Sequence, residues 1–226
     1  MSLWQHQSFA ITVLRSVLFY PSGVTQPLSP SPTAAPPDYP RGFERRLRLH
    51  DGREVFVRPI VPDDAAPLGE ALRDADPETL RSRFLGGAPH VTPALLERLT
   101  TLDYVRRFAL VAGDGRSGRG VGIARFEAVD AGTAEVAVAV DPAWRRVGLA
   151  TALVELLAEA AADRGINEFT ASFLAENRPV VKLVRLAGPA GRQVIREGIA
   201  EVAVRLDRER GTADEPGPDQ EDRPQR

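Results

Sequence analysis

The sequence of 226 residues contains no cysteine, which excludes disulfide bonds, thiolate catalysis and cysteine-ligated metal sites. Histidine is also scarce. His6, His50 and His90 are scattered and adjoin no obvious carboxylate cluster, so we expect neither a metal site nor a histidine-based catalytic triad. Lysine occurs once, at Lys182, and the formal net charge is only -2. A net charge so close to zero does not indicate a surface that binds nucleic acid.

The sequence also has little that would hold it in a membrane. The apolar stretch over residues 9–20 is interrupted by Arg15 and is too short for a membrane-spanning helix. It lacks the basic leader and the small-residue cleavage site of a signal peptide. We therefore expect a cytoplasmic protein with no membrane partner.

Composition divides the chain into three parts. Residues 1–42 are expected to form a disordered N-terminal extension, in which the proline and serine of residues 22–42 predict a linker that cannot pack a core. Residues 211–226 are polar and charged, which is typical of a disordered tail. Residues 43–210 have the length of one domain, and a hydrophobic content of 43% over the chain suffices for its core.

Alternating hydrophobic periods predict a mixed α/β domain with the element order ββ-αα(α)-βββ-α-β-α-β(β). Asp51 and Gly52 predict the tight turn of a first hairpin. Residues 113–120, GDGRSGRG, lack the Gly-Lys-Ser/Thr ending of a phosphate loop and indicate a second hairpin loop. Helices are predicted over residues 63–75, 76–84, 93–99, 149–164 and 177–187, and later strands over 133–141, 168–174 and 193–207.

The clearest chemical signal lies where a strand meets the long amphipathic helix. Residues 141–150, here called the junction turn, contain Gly148 and Ala150, whose small side chains let a ligand approach the backbone. The N–H groups and the dipole at the start of a helix attract an anion. Arg145 and Arg146 add charge-assisted hydrogen bonds to phosphate oxygens. The turn therefore suits a diphosphate, although a surface turn with two arginines has the same pattern.

The pattern Arg145-x-x-Gly148-x-Ala150, between a strand ending in Val-Asp-Pro and an apolar helix, resembles the acetyl-CoA signature of the GNAT N-acetyltransferase superfamily. The resemblance covers nearly all of residues 43–207. The patches RPIVPDDAAPL, PETLRSRF and AENRPVVKLVRLAG look like the GNAT domain of bacterial protein-lysine acetyltransferases. The resemblance implies an α/β GNAT fold with a central, mixed, mostly antiparallel sheet flanked by helices. It also implies acetyl-CoA as co-substrate, no metal, and an amine acceptor, either a protein lysine or a small molecule.

The same resemblance implies which residues bind the cofactor. They are Val138, Val140, Arg145, Arg146, Val147, Gly148, Leu149, Ala150 and Asn177. The backbone amides of residues 147–150 are implied to cradle the pyrophosphate between the two arginines. The strand backbone of residues 138–140 is implied to pair with the pantetheine amides. Asn177 matches an asparagine that commonly contacts the cofactor arm, although a plain helix N-cap also explains it.

One strand offers a candidate catalytic base. Because side chains alternate along a strand, Glu135, Ala137 and Ala139 share one face, where two small residues leave room for a thioester and an acceptor. An acceptor ammonium, with a pKa of about 10, must lose a proton before it attacks, and a carboxylate takes that proton directly or through water. The resembling lysine acetyltransferases place a catalytic glutamate at Glu135. The residue pattern alone favours a solvated strand glutamate.

A general acid is missing from the pattern. Many GNAT enzymes place a tyrosine in the penultimate helix to protonate the leaving thiolate, but residues 178–189 contain none. We interpret Tyr104 as a packing residue and Trp144 as a packing anchor. Thiolates leave readily, so an acid is helpful rather than obligatory. Direct amine attack on acetyl-CoA is the leading hypothesis, and a non-catalytic acyl-CoA-binding regulatory module is the alternative.

Overall fold

The computed structural model describes residues 27–73, 91–175, 180–181, 183–184, 190–196 and 198–206, and the statements below concern these residues. Their eight strands are β1 (Arg45–Arg48), β2 (Glu54–Pro59), β3 (Arg107–Asp114), β4 (Gly120–Ala128), β5 (Thr133–Val140), β6 (Glu168–Leu174), β7 (Ala190–Arg196) and β8 (Ile199–Arg205). They form one sheet in the order β1-β2-β3-β4-β5-β6-β8-β7. Every neighbouring pair is antiparallel except β5 and β6. The predicted mixed, mostly antiparallel sheet is confirmed.

Three helices of eight or more residues are defined in the described ranges: α1 (Ala65–Arg73), α2 (Pro93–Thr100) and α3 (Leu149–Ala162). Helix α2 begins at a capped turn, because the Thr92 hydroxyl accepts a hydrogen bond from Leu95 N at 3.2 Å. The chain leaves α3 at Gly165, whose φ of +77° suits a glycine, as the sequence predicted. None of the described helices combines the length and the apolar character that a membrane span requires.

The sheet is covered on both faces, which explains why β3 and β4 are apolar almost throughout. Helix α3 packs Leu149, Leu153 and Leu157 against one face. Helices α1 and α2 cover the other face, with Leu72 and Leu99 among the buried residues. The sheet therefore has an α3 face and an α1/α2 face, and a residue of β5 belongs to one or the other by its position in the alternation.

Most predicted elements are present with adjusted bounds. The helix predicted at residues 63–75 begins as a 3₁₀ turn over Pro62–Asp64 and continues as α1. The closing segment, predicted at 193–207, forms the two strands β7 and β8. Residues 180, 181, 183 and 184 are helical, within the helix predicted at 177–187. The helix predicted at 76–84 lies outside the described residues.

The described part of the proline-rich segment, residues 27–42, packs against the domain, and here the structure corrects an expectation. Leu28 and Tyr39 are only 5% and 7% exposed. The amide of Leu28 also donates to Gly118 O at 2.8 Å. Composition argues only that such a segment cannot build a core of its own. It does not prevent isolated apolar side chains from docking on a core built by other elements. The domain boundaries stay a prediction.

Candidate functional site

The two parallel strands β5 and β6 pair over a short distance and then separate. Their register runs from Thr133 opposite Glu168 to Glu135 opposite Thr170. Strand β5 continues to Val140 and stays paired with β4 on its other side. Beyond Glu135, β5 therefore has no partner strand on its β6 side among the described residues. An open strand edge of this kind offers backbone amides to an extended ligand.

The junction turn follows this open edge directly and is held from both sides. The Asp141 carboxylate accepts a hydrogen bond from Ala143 N at 2.7 Å and lies 2.9 Å from the Arg119 guanidinium. Trp144 is 6% exposed, and the Arg53 guanidinium lies 4.1 Å from the centre of its ring. Asp141 thus caps the turn, and Trp144 is the packing anchor that the sequence suggested.

The start of α3 presents unbonded N–H groups. Helical hydrogen bonding begins with Ala152 N and Gly148 O at 3.0 Å, so the amides of residues 149–151 have no acceptor within the helix. Within the described part of the chain, no side chain caps the helix at Gly148. The backbone of Gly148 is left-handed, with a φ of +94°. Arg146 also has a positive φ, of +62°, which is uncommon for a residue with a side chain. The arrangement suits an anion.

The hairpin of β1 and β2 forms a wall beside the junction turn. The amide of His50 donates to Val147 O at 3.1 Å, and the His50 ring covers Gly148. A cavity of about 230 Å³ lies between residues 46–50 of the hairpin and residues 147, 148 and 152. Arg145 and Arg146 are exposed, and Arg145 Nε lies 3.4 Å from Val140 O. The predicted junction residues therefore lie together, with their arginines toward solvent.

Glu135 lies at the point where β5 and β6 separate. It is half-buried and belongs to the α1/α2 face, on which Ala137 and Ala139 pack. Val136 and Val138 pack instead on the α3 face. The alternation predicted from the sequence is confirmed, and the carboxylate followed by two small side chains is present on one face.

Two buried charges beside Glu135 were missed by the sequence prediction. Arg125 and Glu127 of β4 are 2% and 8% exposed, and their side chains are joined at 3.1 Å. Burial lowers the pKa of Arg125 to about 10, and the charge of Glu127 offsets part of that effect. The sequence did contain an indication of this pair. An arginine and a glutamate two residues apart in an apolar strand must lie on the same face of the sheet, where they can form an ion pair.

Two further predicted residues lie elsewhere. Asn177 is outside the described residues, so its role stays a prediction. Tyr104 is 3% exposed and its hydroxyl donates to Ile60 O at 2.8 Å, so it is a packing residue as expected. A larger depression of about 570 Å³, lined by Tyr104 and Arg164, lies at the C-terminal end of α3, and no predicted site residue lines it. The described residues contain no group of three or more histidines and carboxylates suited to a metal.

The sheet, the separated strands and the junction turn define an α/β domain in which an open strand edge leads to the first N–H groups of a helix, and comparisons with known proteins give its family. The sequence model of the acetyltransferase (GNAT) family matches residues 76–188. An acetyltransferase of Pseudomonas aeruginosa is 32% identical over 148 residues, which are 64% of this chain and 80% of that protein. The chain therefore belongs to the GNAT acetyltransferase family, whose members transfer acetyl groups from acetyl-CoA.

Further similarities are to domains of larger proteins as well as to single domains. The acetyltransferase Pat of Mycolicibacterium smegmatis is 29% identical over 163 residues, which are 71% of this chain but only 48% of that protein. The solved GNAT domain of PAT from S. lividans has a TM-score of 0.65 and 30% identity, covering 75% of this chain and all of that domain. An acetyltransferase of Salmonella typhimurium solved with acetyl-CoA shares the fold, with a TM-score of 0.53 and 19% identity.

Proposed function

We propose that the protein is an active N-acetyltransferase that transfers the acetyl group of acetyl-CoA to an amine by direct attack. The observation that carries the proposal is the separation of β5 and β6 immediately after Glu135. It joins an open strand edge to the anion-binding start of α3. An extended pantetheine arm that ends in a diphosphate needs these donors in this order, strand amides first and helix amides second.

In the proposed complex the diphosphate lies at residues 147–150, with Arg145 and Arg146 beside it. The pantetheine arm follows the β5 backbone near Val138 and Val140, and the thioester lies over the alanines of the α1/α2 face. Asn177 is proposed to contact the cofactor arm. In the proposed complex the reacting carbon therefore lies near Glu135.

The proposed reaction needs one proton acceptor from the protein. Glu135 takes a proton from the acceptor ammonium, directly or through a water molecule. The free amine attacks the thioester carbonyl, the new C–N bond forms, and the C–S bond breaks to release the coenzyme A thiolate. The nitrogen of the new amide then gives up its second proton, which passes through water to the thiolate. Because acetyl-CoA and the amine bind together, the acetyl group passes directly from one to the other. The chain has no cysteine that could carry the acetyl group as a covalent enzyme intermediate.

We propose a protein lysine as the acceptor and the cytoplasm as the site of the reaction. The acceptor is supported by the patches of sequence that resemble bacterial protein-lysine acetyltransferases. A small amine is the competing acceptor. Turnover against a panel of small amines and of candidate acyl-CoA synthetases, followed by mass spectrometry of the acceptor, distinguishes the two.

The proposal is tested by changing the base while leaving the cofactor site intact. Glu135→Gln is expected to bind acetyl-CoA as the wild type does and to lose roughly 10²–10⁴-fold in kcat, the usual contribution of a general base. Calorimetry measures binding, and a thiol reagent measures coenzyme A release without background, because the protein has no thiol. Glu155→Gln, on the exposed surface of α3, is the matched control.

A non-catalytic acyl-CoA-binding module is the second candidate. It is favoured by residues 178–189, which contain no tyrosine, and by Tyr104, whose buried hydroxyl already donates to Ile60 O. Acetyl-CoA binding by the wild type without turnover of any acceptor would support the module. Failure to bind coenzyme A at millimolar concentration would contradict both candidates.

A further inference from the structure

A buried ion cluster lies on the same face of the sheet as Glu135. The Arg/Glu cluster, as we call it, comprises Arg98, Arg107, Arg125 and Glu127. Arg125 Nη2 lies 3.1 Å from Glu127 Oε1, and Arg98 Nη2 lies 3.7 Å from Glu127 Oε2. Arg98 is half exposed, whereas the side chains of Arg125 and Glu127 are 2% and 10% exposed. Glu127 is therefore the carboxylate that balances a fully buried arginine.

The strand register brings this cluster next to the proposed base. In the ladder of β4 and β5, Glu127 is directly opposite Glu135, and Arg125 is directly opposite Ala137. Opposed side chains in an antiparallel pair share a face, with Cβ atoms about 4.5–5.5 Å apart. Arg125 thus borders the surface on which the thioester and the acceptor are proposed to lie.

Among the described residues, the other charged groups on this part of the face lie on α2, on β3, in the loop between α2 and β3, and on β6. Arg107 is opposite Glu127, and its guanidinium donates to Arg98 O at 3.2 Å and Thr101 O at 2.8 Å at the end of α2. Asp103 lies 3.9 Å from Arg107. Strand β6 places the uncharged Thr170 directly opposite Glu135, and the half-buried Glu168, two residues earlier on the same face, opposite Thr133.

Arg125 requires an anion where it lies. Its Nη1 reaches Leu99 O at 3.5 Å, and its Nε has no hydrogen-bond partner in the described part of the chain. Removing one partner of a buried ion pair leaves the other charge uncompensated, which is strongly unfavourable. Without Glu127, the guanidinium would attract the next carboxylate in the ladder. That carboxylate is Glu135.

We propose that Glu127 is a positioning residue for Glu135: it neutralises Arg125 and so keeps that arginine from drawing Glu135 into an ion pair. A carboxylate paired with a buried guanidinium is a poor base, because the neighbouring cation stabilises its charged form. Glu127 thereby keeps Glu135 able to accept a proton from the acceptor amine. The inference rests on the proposed function, in which Glu135 is that base.

The first test removes the charge of Glu127 alone. Glu127→Gln is expected to lower kcat/KM for the amine about tenfold to a hundredfold, a part of what a general base contributes. The acidic limb of the pH profile is expected to move to lower pH, because Glu135 paired with Arg125 holds its proton less tightly. The KM for acetyl-CoA is expected to stay unchanged, since the cofactor contacts are not altered.

The deciding variant removes both charges. In the double variant Arg125→Met with Glu127→Gln, no buried cation remains to attract Glu135, and replacing a whole buried pair is often neutral for stability. We expect kcat/KM to recover to within about threefold of wild type and the acidic limb to return. A purely structural cluster predicts the opposite, with the double variant at least as impaired as the single one. Circular dichroism and thermal unfolding verify that each variant is folded.

Each remaining outcome has a definite meaning. A wild-type pH profile in folded Glu127→Gln, or no recovery in the double variant, overturns the positioning role. If Glu127→Gln does not fold, Glu127→Asp replaces it and is expected to give a smaller loss with the same direction of pH shift; an unshifted profile again overturns the role. Failure of the proposed function looks different, because Glu135→Gln would then retain full activity or the wild type would have none.

Discussion

Gly148 meets two constraints that a single methyl group would violate. Its φ of +94° is costly for any residue with a Cβ atom, and an added Cβ would lie 3.1 Å from the His50 ring. We expect Gly148→Ala to lower the free energy of unfolding by about 1–2 kcal/mol for the left-handed backbone. We also expect weaker acetyl-CoA binding, because the ring or the helix start must move. Urea unfolding and calorimetry measure the two effects.

Gly165→Ala is the matched control for this prediction. Gly165 also has a positive φ, of +77°, but an added Cβ there would meet no atom within 4 Å. The control should therefore show the backbone cost without any loss of acetyl-CoA affinity. If the two variants bind acetyl-CoA equally well, the packing of His50 on Gly148 has no part in shaping the cofactor site.

Single residues also show how far the sequence could predict the site. The small residues of the junction turn and the face of Glu135 were predictable, because both follow from local spacing along one strand and one turn. The partnership of Glu127 with Glu135 was not, since it depends on the register between two strands. Hydrophobic patterns place a residue on a face, but they do not say which residue of the next strand lies opposite.

At the scale of elements, one buried ion pair joins the N-terminal segment to β2 and to the start of α1. The Arg58 guanidinium binds both carboxylate oxygens of Asp64, at 2.7 and 2.8 Å, and donates from Nε to Ser29 O at 2.6 Å. Asp64 also accepts from Val61 N at 2.8 Å. Burial opposes the charge on Arg58, but the hydrogen bonds and charge of Asp64 outweigh it and raise the pKa of Arg58.

This pair makes a quantitative prediction. Asp64→Asn leaves the Arg58 charge buried without compensation, so we expect a loss of about 3–5 kcal/mol in the free energy of unfolding. Asp63→Asn is the control, because Asp63 is the exposed neighbour. Urea denaturation of the two variants gives the comparison. Equal urea midpoints for the two variants would mean that the buried Arg58–Asp64 pair contributes no more to stability than the exposed Asp63 does.

The same elements explain two differences between the sequence prediction and the structure. Asp63 was predicted to open a helix, but Asp64 caps the turn before α1, because its carboxylate must face both Val61 N and Arg58. The proline-rich segment was predicted to be a linker, yet Leu28 is buried in the same apolar cluster as Ile60 and Val111. Both outcomes depend on contacts between distant parts of the chain, which local composition does not contain.

At the scale of the whole molecule, one parallel junction in an otherwise antiparallel sheet creates the site. Among the described residues the sheet has seven strand pairs, of which β5 with β6 is parallel and the other six are antiparallel. Helix α3 must cross the sheet between these strands, so its N-terminus lies at the end of β5, next to the separation. The sequence predicted a strand, a helix and a strand in this order, whereas the parallel pairing of β5 with β6 and its short extent are properties of the folded sheet.

Two buried tyrosines make the stability of the whole fold sensitive to alkaline pH. Burial raises the pKa of Tyr104 to about 12 and raises that of Tyr39 further still, whereas a tyrosine of the unfolded chain titrates near 10. Between about pH 10 and 12 the unfolded chain therefore binds fewer protons than the folded one, and stability falls as pH rises through that window. Arg125, whose pKa is lowered to about 10, acts in the opposite direction over the same range.

Comparison of the wild type with Tyr104→Phe separates most of the effect of this tyrosine from the rest, because Arg125 is present in both proteins and the charge of Tyr104 is the smallest of the causes that shift the pKa of Tyr39. The variant loses the hydrogen bond to Ile60 O, so we expect it to be about 1 kcal/mol less stable at pH 8. It has no phenol to ionise at this position, so its stability should decline less steeply than that of the wild type above pH 10. Urea unfolding at intervals from pH 8 to pH 11.5 measures the difference. A gap that stays constant with pH would show that Tyr104 ionises as readily in the folded protein as in the unfolded chain, and a widening gap would reverse the sign of the argument.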